Sequence, residues 1–320
     1  MPRAIVAIGG GEIRTRGTLD IDREIIRLSN KRRPKIVFIP TASSDSPRYC
    51  KRFSDYFGGF LGCKTDALFL VSERPSAQQI ERKIMSSDIV YVGGGNTLLM
   101  MRIWRRLGVD EVLTTAHEAG IVLAGISAGA ICWFDSGHSD SMSFYNPRNW
   151  KYINVKGLGL IHGVHCPHYN GMTRGVPRRR EFRQMIGRAG GTGIALENNC
   201  AIEFIDGRFY RVIASKAYSR AYRVYRIGGS VITEQIPKQK QLAPMESLTI
   251  NREKELRLWP PGGSRQIFIG SARRDAARDH HRNPRPGTFD KVVRSEPLAR
   301  APRLSQAMGF EWRRMSHGQT

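Results

Sequence analysis

A chain of 320 residues, 40% of them hydrophobic, is long enough for one large or two ordinary domains around a sizeable core. No apolar run approaches the ~20 residues of a membrane helix, so no membrane partner is expected. The net charge of +23 is spread along the chain with no dedicated basic stripe, which argues against a specific nucleic-acid partner.

Ala4-Ile5-Val6-Ala7-Ile8 reads as a first strand, entered without a separate apolar leader and cleavage site, so no signal peptide is expected. It closes in Gly9-Gly10-Gly11-Glu12, which lacks the G-x-G-x-x-G spacing of a dinucleotide fingerprint. Apolar residues at Leu19, Ile21, Ile25, Ile26 and Leu28 have helical periodicity. Lys35–Ile39 is a second strand, followed by a polar loop and a helix reaching about Phe60. A third strand is expected over Ala67–Val71, a helix over Ser76–Met85 and a fourth strand over Asp88–Val92. That strand runs into Gly93-Gly94-Gly95-Asn96-Thr97, where Asn96 or Thr97 can cap the next helix. Another helix, Val109–Ala119, leads to the apolar run Ile121–Ala124. This alternation with short connections is the signature of a doubly wound parallel sheet.

Ile121–Ala124 is followed by Gly125-Ile126-Ser127-Ala128-Gly129, the G-x-S-x-G pattern of a nucleophile elbow. A serine aimed out of a sharp strand-to-helix turn needs glycines two residues to either side, where chain segments pass closely. The bland alternative is a tight turn with a capping serine. Asp135–Trp150 reads as a polar loop, Arg178–Ile186 as a helix, and Gly193–Glu197 as a strand ending in a carboxylate. Ala201–Ile205, Arg208–Ile213 and Ala221–Ile227 are short β segments, the first two joined by an Asp206-Gly207 turn. From about Glu246 the composition is rich in Pro, Gly, Arg and Ser, which predicts a basic, disordered extension over 246–320 with one short strand at Gln266–Ile269.

A serine hydroxyl is a weak nucleophile until a base takes its proton. His162, His165 and His168 cluster in sequence and are the candidates, while His117 lies in a helical pattern and His138 in the polar loop. With Cys166 the cluster also permits a zinc reading, although the usual ligand spacings are absent. Glu197 is the best-placed orienting carboxylate by chain order, with Asp135 and Asp140 as competitors. Cys50, Cys63, Cys132, Cys166 and Cys200 are odd in number and form no C-x-x-C pair, which fits reduced thiols in a cytoplasm.

Four motifs together resemble peptidase family S51, the aspartyl dipeptidase (peptidase E) and cyanophycinase group. They are Val92–Thr97, Gly125–Ala130, Gly157-Leu158-Gly159-Leu160 followed by Cys166-Pro167-His168-Tyr169, and Gly193–Glu197, in the family's order and at comparable spacing. The resemblance covers about residues 1–240. It implies an α/β fold, a doubly wound parallel sheet resembling class I glutamine amidotransferases with a C-terminal β-rich section, in a peptidase domain over 1–245. It further implies a Ser-His-Glu triad of Ser127, His168 and Glu197, with Gly94 or Gly95 and Ala128 as the oxyanion hole. Arg178 or Arg179 would hold an acidic substrate side chain, and Asn96 is counted with the substrate-binding residues. Asp140 is the alternative acid if a short gap is allowed. Asn170-Gly171 departs from relatives that carry acidic residues after the histidine, which bears on substrate identity.

The resemblance thus implies a serine exopeptidase that hydrolyses small peptides, dipeptides with an acidic N-terminal residue, through an acyl-enzyme. No metal or organic cofactor is expected, and a homodimer is left open. The alternatives are a member of the fold that binds or hydrolyses another small amide, and a basic nucleic-acid-binding protein.

Overall fold

A computed structural model describes residues 2–238, 243, 247 and 248. Five strands, β1 (Ala4–Ile8), β2 (Lys35–Ile39), β3 (Lys64–Ala67), β4 (Ile89–Val92) and β5 (Val122–Ile126), lie parallel in the order β1-β5-β4-β2-β3. Side chains alternate across a strand. Ala4, Val6 and Ile8 therefore enter one apolar layer, with the helices Leu19–Leu28 and Pro47–Phe53. Ile5 and Ala7 enter the other, with the helices Ala77–Met85, Thr97–Leu107 and Val109–Glu118. Both faces are covered, which is why β1, β2, β4 and β5 are nearly continuous apolar runs, while the edge strand β3 is polar and only half-buried.

The remaining strands are β6 (Phe134–Ser139), β7 (Ile153–Lys156), β8 (Ile161–Cys166), β9 (Met172–Thr173), β10 (Val176–Pro177), β11 (Thr192–Leu196), β12 (Cys200–Ile205), β13 (Arg208–Ala214), β14 (Ala221–Ile227) and β15 (Ser230–Ile236). The β12–β13 hairpin joins the first sheet, β12 pairing antiparallel with β1 from Ala4 opposite Ile205 to Ile8 opposite Ala201. That sheet is thus mixed, seven strands in the order β13-β12-β1-β5-β4-β2-β3. A second mixed sheet has the order β15-β14-β11-β8-β6-β7. The expected β-rich section is therefore divided between two sheets.

Two expected elements move. The third strand is Lys64–Ala67 and not Ala67–Val71. The Asp45 carboxylate accepts from the amides of Val71 (2.6 Å) and Ser72 (3.0 Å) and draws that stretch off the ladder. The polar stretch after Phe134 is strand β6 and not the start of a loop. Ser136, His138 and Ser139 are buried there, the Ser139 hydroxyl donating to Thr97 Oγ1 at 3.0 Å. Composition alone reads such residues as exposed.

The fold also continues past the expected boundary at 245. Ala243 bridges to Phe209, Ser247 O accepts from the Arg223 guanidinium at 2.8 Å, and Leu248 is buried in the core. Leu248→Ala is expected to lower the unfolding free energy by about 2–5 kcal/mol, read as a lower urea midpoint at unchanged slope. The expected extension beyond 248, including the short strand at Gln266–Ile269, lies outside the described residues. Among the described residues, no helix is long and apolar enough to cross a membrane.

Candidate active site

Ser127 follows β5 directly with a positive φ, φ 58° and ψ −111°. A non-glycine residue there costs on the order of 1–3 kcal/mol and persists only where its surroundings hold it. Here Ser127 N donates to Ile8 O at 3.0 Å, and the amides of Ala130 and Ile131 both donate to Ser127 O at 3.0 Å. The flanking glycines are needed for close approach. A Cβ on Gly125 would lie 2.0 Å from Gly129 O, and one on Gly129 would lie 2.2 Å from Val92 O. The elbow reading of this stretch is thus met by its backbone.

His168 meets the serine from the segment after β8, with its own φ at 51°. Its Nε2 lies 2.8 Å from Ser127 Oγ. Its Nδ1 lies 2.6 Å from Asn198 Oδ1. A carbonyl oxygen only accepts, so Nδ1 carries the proton and Nε2 is left free to accept from the serine hydroxyl. Burial, reinforced by the nearby Arg178 guanidinium, pushes the imidazole down to about 4, against the opposing effects of Asn198 and Asp140. The ring is therefore neutral, the form a general base needs.

Gly9-Gly10-Gly11 serves this ring. Gly9 O accepts from His168 N at 2.8 Å. A Cβ on Gly10 would lie 2.3 Å from His168 Nδ1 and 2.2 Å from Asn198 Oδ1. Gly10 gives the imidazole and its partner room, a role the sequence reading did not reach.

Glu197 does not reach His168. Its carboxylate accepts from Arg220 N at 3.0 Å and the Tyr222 hydroxyl at 3.2 Å, and it lies 3.5 Å from Arg179. The carboxylate expected beside the histidine is therefore not there, and the side chain at His168 Nδ1 is that of its neighbour Asn198. Consecutive side chains in extended chain point opposite ways, so placing a partner one residue off puts it on the wrong side. Asp140 is also engaged elsewhere, 2.6 Å from Arg178 and accepting from Thr173 Oγ1 at 2.9 Å. Burial alone would raise its carboxyl, but Arg178 and these hydrogen bonds hold it below the usual range.

Among the described residues, His162, His165 and His138 make their contacts elsewhere. His165 is buried, stacked on Phe134 with ring centroids 4.6 Å apart, its Nδ1 2.9 Å from Ile194 O. Burial pushes it down to about 3. His162 is exposed, 3.6 Å from Asp135. Cys166 Sγ lies 3.8 Å from His138 Nδ1. Among the described residues, no group of three or more His, Cys, Asp or Glu side chains could hold a metal ion.

Gly94 lies against Ser127, where a Cβ would come 3.2 Å from Ser127 Cβ and 3.7 Å from its Oγ. Gly95 instead turns toward Ala42, whose carbonyl would be 2.1 Å from a Cβ there. Ala128 opens the four-residue helix after Ser127. Tyr49, which the sequence reading passed over, places its hydroxyl 3.5 Å from Gly94 N, with burial pushing it up to about 12. Its helix has no sequence signal tying it to the elbow.

Of the expected substrate-binding residues, Asn96 is a buried cap whose Oδ1 accepts from Leu99 N at 3.0 Å. Arg178 is buried, and its charge is matched by Asp140. Arg179 alone of the three has an accessible side chain, 54% exposed. It lies over the rings of Tyr169 (5.0 Å) and Tyr222 (5.5 Å). Arg179 also borders an open groove of about 810 Å³ beside the helix Arg178–Ala189, lined further by Arg180, Arg183 and Arg188; this groove includes neither Ser127 nor His168.

Comparison with known proteins bears on the same residues. The model of Peptidase family S51 matches residues 5–212. The chain is similar to the uncharacterized peptidase YgaJ of Bacillus subtilis (strain 168), 36% identical over 224 residues, which are 69% of this chain and 92% of that protein. It is 27% identical over 143 residues to the uncharacterized peptidase Lmo0363 of Listeria monocytogenes, covering 44% of this chain and 69% of that one. A crystal structure of a peptidase from an acI-B1 actinobacterium superposes with a TM-score of 0.52 at 17% identity, covering 76% of this chain and 95% of the other, a likeness of fold.

Proposed function

Since the chain belongs to peptidase family S51, we propose that this peptidase is a serine exopeptidase in which Ser127 attacks and His168 is the base. The observation that carries this reading is the 2.8 Å contact between Ser127 Oγ and the neutral His168 Nε2 at a strained elbow. His168 takes the hydroxyl proton as Oγ attacks the scissile carbonyl. The amides of Gly94 and Ala128 receive the developing oxyanion, Gly94 exchanging its long contact with Tyr49 for the substrate oxygen. The imidazolium then protonates the leaving amine, and water repeats the sequence on the acyl-enzyme.

Arg179 supports the substrate class. It is an accessible cation beside the Glu197–Asn198 turn, suited to hold the carboxylate of a small acidic peptide. The five free thiols support a reducing, cytoplasmic setting. A dipeptide panel of Asp-Leu, Glu-Leu and Ala-Leu tests the reading. Turnover is expected to favour the acidic dipeptides, to survive prolonged EDTA and to vanish in Ser127→Ala. Equal turnover by Ser127→Ala would defeat the serine mechanism, and a preference for Ala-Leu would defeat the acidic specificity.

A further inference from the structure

Resting on that reading of Ser127 and His168, we infer that Asn198 is the positioning residue of the base, so that this peptidase works with an uncharged amide where a triad ordinarily has a carboxylate.

The placement is built by several contacts. Asn198 N donates to Asn170 Oδ1 at 3.0 Å, and Asn199 N donates to Gly10 O at 2.7 Å. The first bond holds the turn after β11 against the segment that carries His168, and the second holds it against the glycine loop. Gly10 then leaves no space for either the imidazole or the amide to move toward it. The exposed Asn170, one of the departures from relatives in the sequence, thereby acquires a role: it anchors the backbone of the residue that holds the base. On the other side of the turn, Glu197 is committed to Arg220, Tyr222 and Arg179. The charged and titratable groups around the ring are the Arg178–Asp140 pair and the buried His165.

An amide oxygen selects the same tautomer as a carboxylate, because both accept from Nδ1–H. It lacks the negative charge that stabilises the imidazolium formed after the serine gives up its proton. Two consequences follow. The histidine resists protonation in the resting enzyme, and proton transfer from Ser127 is less favourable than it would be beside a carboxylate.

The experiment uses the full-length chain and a serine-directed phosphonate, following the pH dependence of labelling at Ser127 together with kcat for Asp-Leu. Asn198→Asp is expected to move the acid limb of the labelling rate up by at least one pH unit and to raise kcat about tenfold or more. Asn198→Ala is expected to lower both rates about 100-fold or more, having lost tautomer control. Glu197→Gln is expected to leave the acid limb in place, whatever it does to KM. An acid limb that shifts in Glu197→Gln but not in Asn198→Asp would overturn the inference. So would Asn198→Ala rates equal to wild type. Failure of wild-type Ser127 to label and to turn over any dipeptide would instead count against the serine-peptidase reading itself.

Discussion

His168→Ala is expected to lower kcat by about 10⁴-fold or more while leaving the protein folded. Serine is a poor nucleophile at neutral pH, and the ring nitrogen 2.8 Å from its Oγ is the group placed to take the proton. His165, three residues earlier, is held by Ile194 O in the core and cannot substitute. The wild-type acid limb carries the same assignment. A free histidine loses its base function below about pH 6.5. His168 is pushed down to about 4, mainly by burial, so kcat/KM should stay level from neutrality to about pH 5 and fall as pH approaches 4. A limb near pH 6.5, or a His168→Ala enzyme within tenfold of wild type, would remove His168 from the role of base. Circular dichroism and the urea midpoint separate lost chemistry from lost fold.

Asp140→Asn is expected to act chiefly on stability, by about 3–5 kcal/mol. Arg178 is 3% exposed and its guanidinium faces the Asp140 carboxylate at 2.6 Å. Removing the carboxylate's charge leaves a buried cation whose remaining partners are His138 O at 3.1 Å and Thr173 Oγ1 at 3.4 Å. The guanidinium would also repel a proton on His168 more strongly, lowering the acid limb further. Were Asp140 the orienting acid, the same change would lower kcat by orders of magnitude at unchanged stability. A double-mutant cycle with Arg178→Met reads the pair directly, because the double variant removes both charges and should recover much of the loss. Urea unfolding and Asp-Leu turnover, measured on the same four proteins, decide between a structural ion pair and a catalytic carboxylate.

Much of the site was written in local pattern. The elbow was legible because its chemistry lies in five consecutive residues, Gly125 to Gly129, and the required glycines are the ones whose Cβ atoms would collide with backbone. The parallel strands β1, β2, β4 and β5 were legible because burial on both faces demands unbroken apolar runs. The placement of His168 beside Ser127 was legible through the Pro-His position of the family motif. The choice between Glu197 and Asn198 was not. Both follow β11 directly, and which one faces the imidazole depends on the side from which the Gly9–Gly11 loop and His168 approach. Strand β6 was hidden for a related reason, since Ser136, Gly137, His138 and Ser139 look solvent-exposed until β7 and β8 supply their partners. Asn96 and Arg178 were expected at the substrate through the family resemblance. The fold uses one to cap the helix Thr97–Leu107 and buries the other against the half-buried Asp140. Sequence determined which backbone turns and apolar faces exist, because those follow from neighbours along the chain. Tertiary structure decided where each polar group points, because a hydrogen-bond partner dozens of residues away is set only once the sheets have packed.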